Sequence, residues 1–552
     1  MRWLAELARG YRREWLSADV VGGVAVAALL VPQCMAYAEL AGLPASAGFR
    51  AALPALVVYA LVGSSRHLGV GPEPGTALLA ATAVAPFAAR GSDDYAELMA
   101  ALAVLVGLVA LAARLLRLSI VSSLLSRPIL VGYLAGVGIT LASSQLSKLT
   151  GIAVEGDRAL PRFADALRRL DEIHWPTAAI GAGCFAAILV LRYLAPKVPG
   201  VLVAVTVATA LAWVFDWAAH GVASVGELPS AFPTFAVPSV PLDDVWALLP
   251  GALGIAVVGF TDNVLTARSI GAKHGYTTDP DRELGALGAT NIAAGLGGGF
   301  PVSSSASRSV TPASLGSHTR LVGLVAAATL LLALATARPA LAYVPEAAIG
   351  AVILAAAVLI IDVAEFAALW RLDRIEFALA VGAALGVILS DVLIGVGVAV
   401  GLSLLVALQR IARPEDAVLG DVADLEGWIP VESGGRPLAG LLVYRFDAPL
   451  FFANVEHFRD RLREALVAST GEERWVVLDC EGVGSIDTTA VRELAALVDE
   501  LHAGGVDVVA VARANQAAQR TLRRARLLHP AGSVRSFSTI NSAVRAYRRA
   551  GG

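Results

Sequence analysis

Residues 300–308, Phe-Pro-Val-Ser-Ser-Ser-Ala-Ser-Arg, set four hydroxyls and a guanidinium directly after a proline and the glycine run Gly297–Gly299. Hydroxyls donate hydrogen bonds, and an arginine adds a permanent positive charge with a fork of donors; together they suit an anion. Upstream, Asp262 lies in the apolar stretch 246–269, with Thr266 one helical turn further along the same face. A carboxylate at membrane depth costs roughly 2.5–3.5 kcal/mol on insertion scales, so it needs a partner, a proton or a cation. Asp262 is therefore a candidate proton carrier. With Thr266 and unwound carbonyls it is equally a candidate sodium site. The structural alternative is an Asp262–Arg308 salt bridge.

A second proline-opened segment, VGPEPGTALLAAT (70–82), has the same form. Gly71, Pro72, Pro74 and Gly75 permit a broken entry to a helix, and Thr76 can cap it. Glu73, facing a pocket, would repel an anion unless protonated, which would tie anion entry to proton uptake. Gln33 follows Pro32 inside the first span and offers neutral donors to a substrate. Tyr37, one turn later, either walls that pocket or packs between helices. Gln33 precedes Pro72 by 39 residues, and Asp262 precedes Pro301 by the same 39. If both short segments begin as half-helices near the midplane, their N-termini present free N–H groups and a positive dipole end, which favours an anion. The alternative is that the serines only bridge close-packed helices.

Long apolar elements must position these groups. Of 552 residues, 57% are hydrophobic and 16% charged, against roughly 45–50% apolar in soluble domains. Apolar stretches lie near 18–41, 45–62, 96–115, 128–146, 176–194, 199–215, 246–269, 321–341, 345–362 and 374–390, with another ending near 408. Segments 74–89 and 302–315 are short or polar, and 283–297 is weakly apolar; the total is about 14 spans. Inner loops then carry Arg66, Arg114, Arg117, Arg127, Arg192, Lys197, Arg268, Lys273, Arg371 and Arg374. The connection 216–246 has no Lys or Arg and suits the outside. Both termini fall in the cytoplasm. The start, MRWLAELARGYRREW, is basic and amphipathic and lacks a signal-peptide cleavage site.

A net charge of −3 and the lack of a basic tract interleaved with aromatics exclude nucleic-acid binding. Cys34, Cys184 and Cys480 are isolated, without metal or disulfide spacing, and read as small buried hydrophobes. GLGGGF (295–300) lacks the GK[ST] ending of a nucleotide loop. From Gly440 the pattern becomes that of a soluble α/β domain: strands at 441–446, 475–479 and 506–511 alternate with helices near 454–468, 488–502, 514–526 and 539–549. The divisions are thus 1–410 in the membrane, 411–438 as linker, and 439–552 as the α/β domain.

The segments LLVPQCMAYAELAGLPASAGF (29–49), GSSRHLGVGPE (63–73), SRPILVGYLAG (126–136) and ARSIGAKHGYTTDPDRELGALGATNIAAGLGGGFPVSSSASRS (267–309) resemble the sulfate permease (SulP) anion transporters, which include prestin and pendrin. LVYRFDAPLFFANVEHFRDRL (442–462) and LDCEGVGSIDTTAVREL (478–494) resemble a STAS domain. The resemblance implies an all-α membrane domain of two inverted seven-span repeats, split into core and gate, followed by a small cytoplasmic STAS domain. The anion would lie between the N-termini of the third and tenth helices, in a pocket of Gln33, Tyr37, Glu73, Ala306, Ser307 and Arg308. Asp262 falls where many members carry a coupling glutamate. A bicarbonate-transporting branch has an Asp and a Thr one turn apart in a sodium site, matching Asp262 and Thr266, with Ser307 as a further ligand. Animal members commonly have a large apolar residue in place of Glu73. Bacterial STAS regulators are phosphorylated on a serine; here that turn reads Ile486-Asp487-Thr488-Thr489-Ala490, so Thr488 and Thr489 are the regulatory candidates and Asp487 or Thr488 the candidate helix cap.

The expectation is a transporter, not an enzyme: a proton-coupled symporter of sulfate or a similar small anion, working by an elevator-like movement in the inner cell membrane. It needs no cofactor beyond a coupling proton or sodium ion, and the resemblance implies a homodimer. A cytoplasmic regulatory partner of the STAS domain is a further expectation. Sodium-coupled bicarbonate uptake is the second reading, and a receptor or anchor signalling through the STAS domain is the third.

Overall fold

The computed structural model of the chain describes residues 11–117, 127–156, 158–195, 198–226, 232–390, 392–422, 427–469, 473–528 and 533–551. It divides into two compact units, Met1–Ser403 and Leu404–Gly552.

In the first unit a helix stands at each of the fourteen positions marked by hydropathy. They are α1 (Leu16–Leu40), α2 (Ser46–Val62), α3 (Pro74–Val84), α4 (Asp93–Leu115), α5 (Arg127–Ser144), α6 (Trp175–Leu194) and α7 (Gly200–Val214). Then follow α8 (Leu242–Lys273), α9 (Pro280–Leu296), α10 (Ala306–Ser314), α11 (Leu321–Leu341), α12 (Glu346–Ile360), α13 (Arg374–Leu389) and α14 (Val392–Ala412), the last running into the second unit. Among the described residues, six helices are long and apolar enough to cross a membrane unaided. α3, with 11 residues, and α10, with 9, are not; at 1.5 Å per residue they reach about half of the hydrocarbon core.

Two bundles share this unit. In one, α9 packs on α2 and α4, α11 on α1 and α2, and α8 on α4; in the other, α13 packs on α5, α12 on α5 and α6, and α7 on α6. The bundles meet where α7 and α12 touch α1, and where α5 touches α3. Small residues permit the closest approaches: a Cβ on Gly132 of α5 would stand 1.9 Å from the Ala380 carbonyl of α13, so any side chain there forces the helices apart.

Buried carboxylates stitch the first bundle. Asp19 accepts from His318 N (2.8 Å) and Thr319 Oγ1 (2.5 Å), tying α1 to the entry of α11. Glu283 of α9 accepts from Tyr59 Oη (3.0 Å), Ser64 N (2.9 Å) and Ser65 N (3.0 Å). Each is fully buried and met by donors, as a buried polar group must be.

The second unit holds a six-stranded sheet in the order β4-β3-β5-β6-β7-β8. β5 (Leu441–Phe446), β6 (Trp475–Asp479), β7 (Val508–Ala512) and β8 (Val534–Phe537) are parallel; β3 (Asp416–Asp421) and β4 (Trp428–Pro430) add an antiparallel hairpin. α15 (Val455–Ala468), α16 (Thr488–Ala503) and α17 (Gln516–Arg524) build one hydrophobic layer, and α18 (Ile540–Arg549) the opposite one. The expected linker 411–438 is therefore corrected: α14 extends to Ala412, and β3 begins at Asp416 as an integral strand beside β5. Its Leu419 is buried in the layer under α18.

Cys34, Cys184 and Cys480 are buried and unpaired. Burial, with Asp479 adjacent, pushes the Cys480 thiol up to about 12, so it stays a thiol.

Candidate functional site

The polar break 300–308 meets its counterpart at 69–76. β1 (Gly69–Gly71) and β2 (Ser303–Ser305) pair antiparallel, Gly69 opposite Ser305 and Gly71 opposite Ser303. α3 starts three residues beyond β1, and α10 starts directly after β2. A strand followed by a half-helix occurs twice, and the antiparallel pairing sets the two copies in opposed directions, as an inverted repeat requires. The crossing demands glycine: a Cβ on Gly69 would lie 2.7 Å from Cβ of Arg308. Asn291 of α9 holds the approach to β2, accepting from Val302 N (2.9 Å) and donating to Val302 O (3.0 Å).

Four expected pocket residues come together around this crossing. Arg308 is fully buried and donates from Nη1 to Gln33 Oε1 (2.9 Å) and to the Pro72 carbonyl (2.8 Å). Gln33 thus orients Arg308, rather than presenting its own oxygen to a substrate. Among the described residues, Nε and Nη2 of Arg308 have no partner. Ala306 and Ser307 are exposed at the first turn of α10, and Ser305 Oγ lies 3.1 Å from Ser307 Oγ. No side chain caps α10. Tyr37 is buried in the core of the same bundle.

Glu73 departs from expectation. It is the cap of α3, accepting from Gly75 N (3.0 Å), Thr76 N (2.8 Å) and Thr76 Oγ1 (3.1 Å). Thr76, expected to cap, instead donates to that carboxylate. Pro74 at the first helical position supplies no N–H and fixes φ, which leaves the preceding residue as cap.

Asp262 pairs with Ser304, whose Oγ donates to Oδ2 at 2.8 Å. The Asp262–Arg308 salt bridge does not form among the described residues, because Arg308 turns toward α1 and β1. Ser307 Oγ lies against Ser305 Oγ, and Asp262 accepts from Ser304. Among the described residues no three His, Cys, Asp or Glu side chains gather as a metal site. Asn263, passed over in the sequence, is equally placed: Oδ1 accepts from Ser304 N (2.9 Å), and Nδ2 is buried without a partner. Its signal was a second polar residue directly after Asp262 in an apolar run.

In the second unit, Asp487 caps α16, accepting from Ala490 N (2.7 Å) and Phe452 N (3.0 Å). Thr488 and Thr489 stand exposed on the first turn.

Two opposed half-helices meet at a buried arginine within one of two packed bundles of apolar helices, the build of a multi-pass membrane protein. Residues 16–383 match the Sulfate permease family and residues 436–543 the STAS domain. The chain belongs to the sulfate permease family, whose members are transporters and not enzymes. It is 44% identical to a probable sulfate transporter of Mycobacterium tuberculosis strain CDC 1551, across 98% of this chain and 97% of that one. A chloroplastic sulfate transporter of Arabidopsis thaliana is 29% identical, across 99% of this chain and 81% of the relative. Murine solute carrier 26 family member A9, an anion transporter solved in an inward-facing state, superposes with a TM-score of 0.89 at 20% identity, across 99% of this chain and 94% of that one. The transmembrane domain of a cyanobacterial bicarbonate transporter, BicA, gives 0.61 at 20% identity, across 72% of this chain and 98% of that one.

Proposed function

We propose that the protein is a secondary active transporter of small oxyanions, with sulfate the first candidate, operating by proton-coupled symport. The observation that carries this reading is the uncapped N-terminus of α10 beside the buried Arg308. Helix N–H groups and a guanidinium in low dielectric both stabilise an oxyanion. The names of the relatives point to sulfate. Ala306 and Ser307 border the anion, Gln33 and the Pro72 carbonyl fix Arg308, and Tyr37 stands behind Gln33 on α1. Asp262, held by Ser304 within the span, carries the coupling proton. The α1–α4 and α8–α11 bundle moves as the core against the other bundle in an elevator-like step, since both half-helices belong to it. The protein lies in the cell membrane with both termini in the cytoplasm and acts as a homodimer. It uses no cofactor beyond its coupling ion. Thr488 and Thr489, at an exposed helix start, are regulatory positions open to a cytoplasmic partner.

Proteoliposomes bearing imposed proton or sodium gradients, challenged with sulfate, bicarbonate and dicarboxylates, test this directly. Inward proton gradients should drive sulfate accumulation. Accumulation of bicarbonate driven by sodium alone would replace sulfate symport with the second reading, and absence of flux for every anion would remove transport altogether.

A further inference from the structure

Beneath the β1–β2 crossing lies a cavity of about 30 Å³, walled by α1, α2, the 66–70 segment, α10 and the start of α11. That volume gives room for one or two water-sized occupants. Its charged lining residues are Arg66, Arg308 and Arg320, His67 adds a polar ring, and no carboxylate lines it. Apart from the ring of Tyr59, the rest of the wall is aliphatic and includes Ala60.

The chemistry of these walls is largely spent. Tyr59 Oη is taken by Glu283, and the two His67 nitrogens by Tyr276 Oη (3.1 Å) and the Ser317 carbonyl (2.8 Å). Arg320 donates to the Gly63 carbonyl, and Arg66 stacks on the Tyr276 ring. Arg308 differs: fully buried, it keeps Nε and Nη2 unpartnered and forms no salt bridge among the described residues. The nearby carboxylates are engaged, Asp262 by Ser304 and Glu73 by the start of α3. A buried cation without a counter-charge is costly, and a site that offers it one is strongly favoured.

We propose that this cavity is a second anion site, for a halide-sized monovalent anion such as chloride, seated behind Arg308 and separate from the half-helix cradle. Its size admits a monatomic ion. Aliphatic walls suit a weakly hydrated ion, and three arginines give the site its sign. The occupant would neutralise Arg308 whenever the cradle is empty. The inference does not depend on which oxyanion the cradle carries.

The test uses the full-length purified protein, free of sulfate, with chloride titrated against gluconate at constant ionic strength while thermal unfolding is followed. Wild type should gain a saturable rise in Tm. Ala60→Leu, which fills the cavity, should raise the half-saturating chloride concentration at least about tenfold, while the Tm rise produced by sulfate persists. A chloride effect equal to that of gluconate, or one untouched by Ala60→Leu and erased by saturating sulfate, overturns the proposal. Should Ala60→Leu fail to fold, bromide-soaked crystals of the wild type decide by anomalous scattering. A peak between Arg308 and His67 supports the site, and a peak confined to the cradle overturns it. Halide binding is read without sulfate flux, so a failure of sulfate transport leaves this result standing on its own.

Discussion

The two half-helices are built alike and finished differently. Each follows a three-residue strand, and the strands pair with each other. Yet α3 begins behind Glu73, whose carboxylate already occupies the first N–H groups, whereas α10 begins behind Ser305 with no side-chain cap. An inverted repeat duplicates backbone direction, not side-chain chemistry. One positive helix end is closed by a built-in anion and the other is left open beside a buried guanidinium. On the proposed reading an incoming anion would be held from the α10 side, and the Glu73 carboxylate at the α3 side would repel it.

Removing the open side should have the largest effect. A buried charge-assisted hydrogen bond is worth about 1.5–3 kcal/mol, and Arg308 has two N–H groups free to make them. Arg308→Ala should lower sulfate uptake in proteoliposomes at least about 100-fold. Arg308→Lys should recover little, because an ammonium cannot reach Gln33 and the Pro72 carbonyl while also facing an anion. Uptake within a few-fold of wild type would mean that the open end of α10 is not where the anion sits.

Next in size is the loss of accumulation in Asp262→Asn. The amide keeps a contact with Ser304 but cannot carry a proton, so gradient-driven accumulation should vanish while anion exchange at equal concentrations continues. Accumulation as in wild type would shift coupling to Glu73 and make the α3 end, not α8, the proton-bearing side of the comparison.

Much of this asymmetry was within reach of the sequence, and the missing part has physical causes. Pro72, Pro74, Pro301 and the flanking glycines announce breaks in apolar runs, and each apolar stretch becomes a helix. The β1–β2 pairing was hidden because three-residue strands have no periodicity to read. Thr76 rather than Glu73 was expected to cap α3 because threonine ranks above glutamate as a cap; Pro74 at the first helical position points to Glu73. Ser304, rather than Ser307, reaches Asp262 because β2 is extended and alternates its side chains, which a helical reading of 302–315 could not reveal. In the second unit, Pro414, Gly434 and mixed charge disguised a strand paired on both sides, 416–421, as a linker.

Glu73→Gln opens the closed end. The amide oxygen still accepts one N–H of α3, so stability should fall by about 1 kcal/mol or less, and the repulsive charge is gone. The apparent KM for sulfate at neutral pH should drop about threefold to tenfold. A higher KM in Glu73→Gln would mean that the cap's contribution to shape outweighs its charge.

The smallest effect should come from single hydroxyls, and here the two ends can be compared atom for atom. Ser307 is exposed on the first turn of α10 and its hydroxyl touches only Ser305. Ser307→Ala removes one neutral hydrogen bond, worth about 0.5–1.5 kcal/mol, and should raise the sulfate KM about twofold to tenfold. Thr76 stands on the first turn of α3, one residue further in than Ser307 on α10, but its hydroxyl is spent on Glu73. Thr76→Val should therefore leave the KM unchanged in wild type and raise it only in the Glu73→Gln background, where the hydroxyl is released. Equal effects of Ser307→Ala and Thr76→Val in wild type would show both helix ends open to the anion, and the asymmetry would then lie in Arg308 alone.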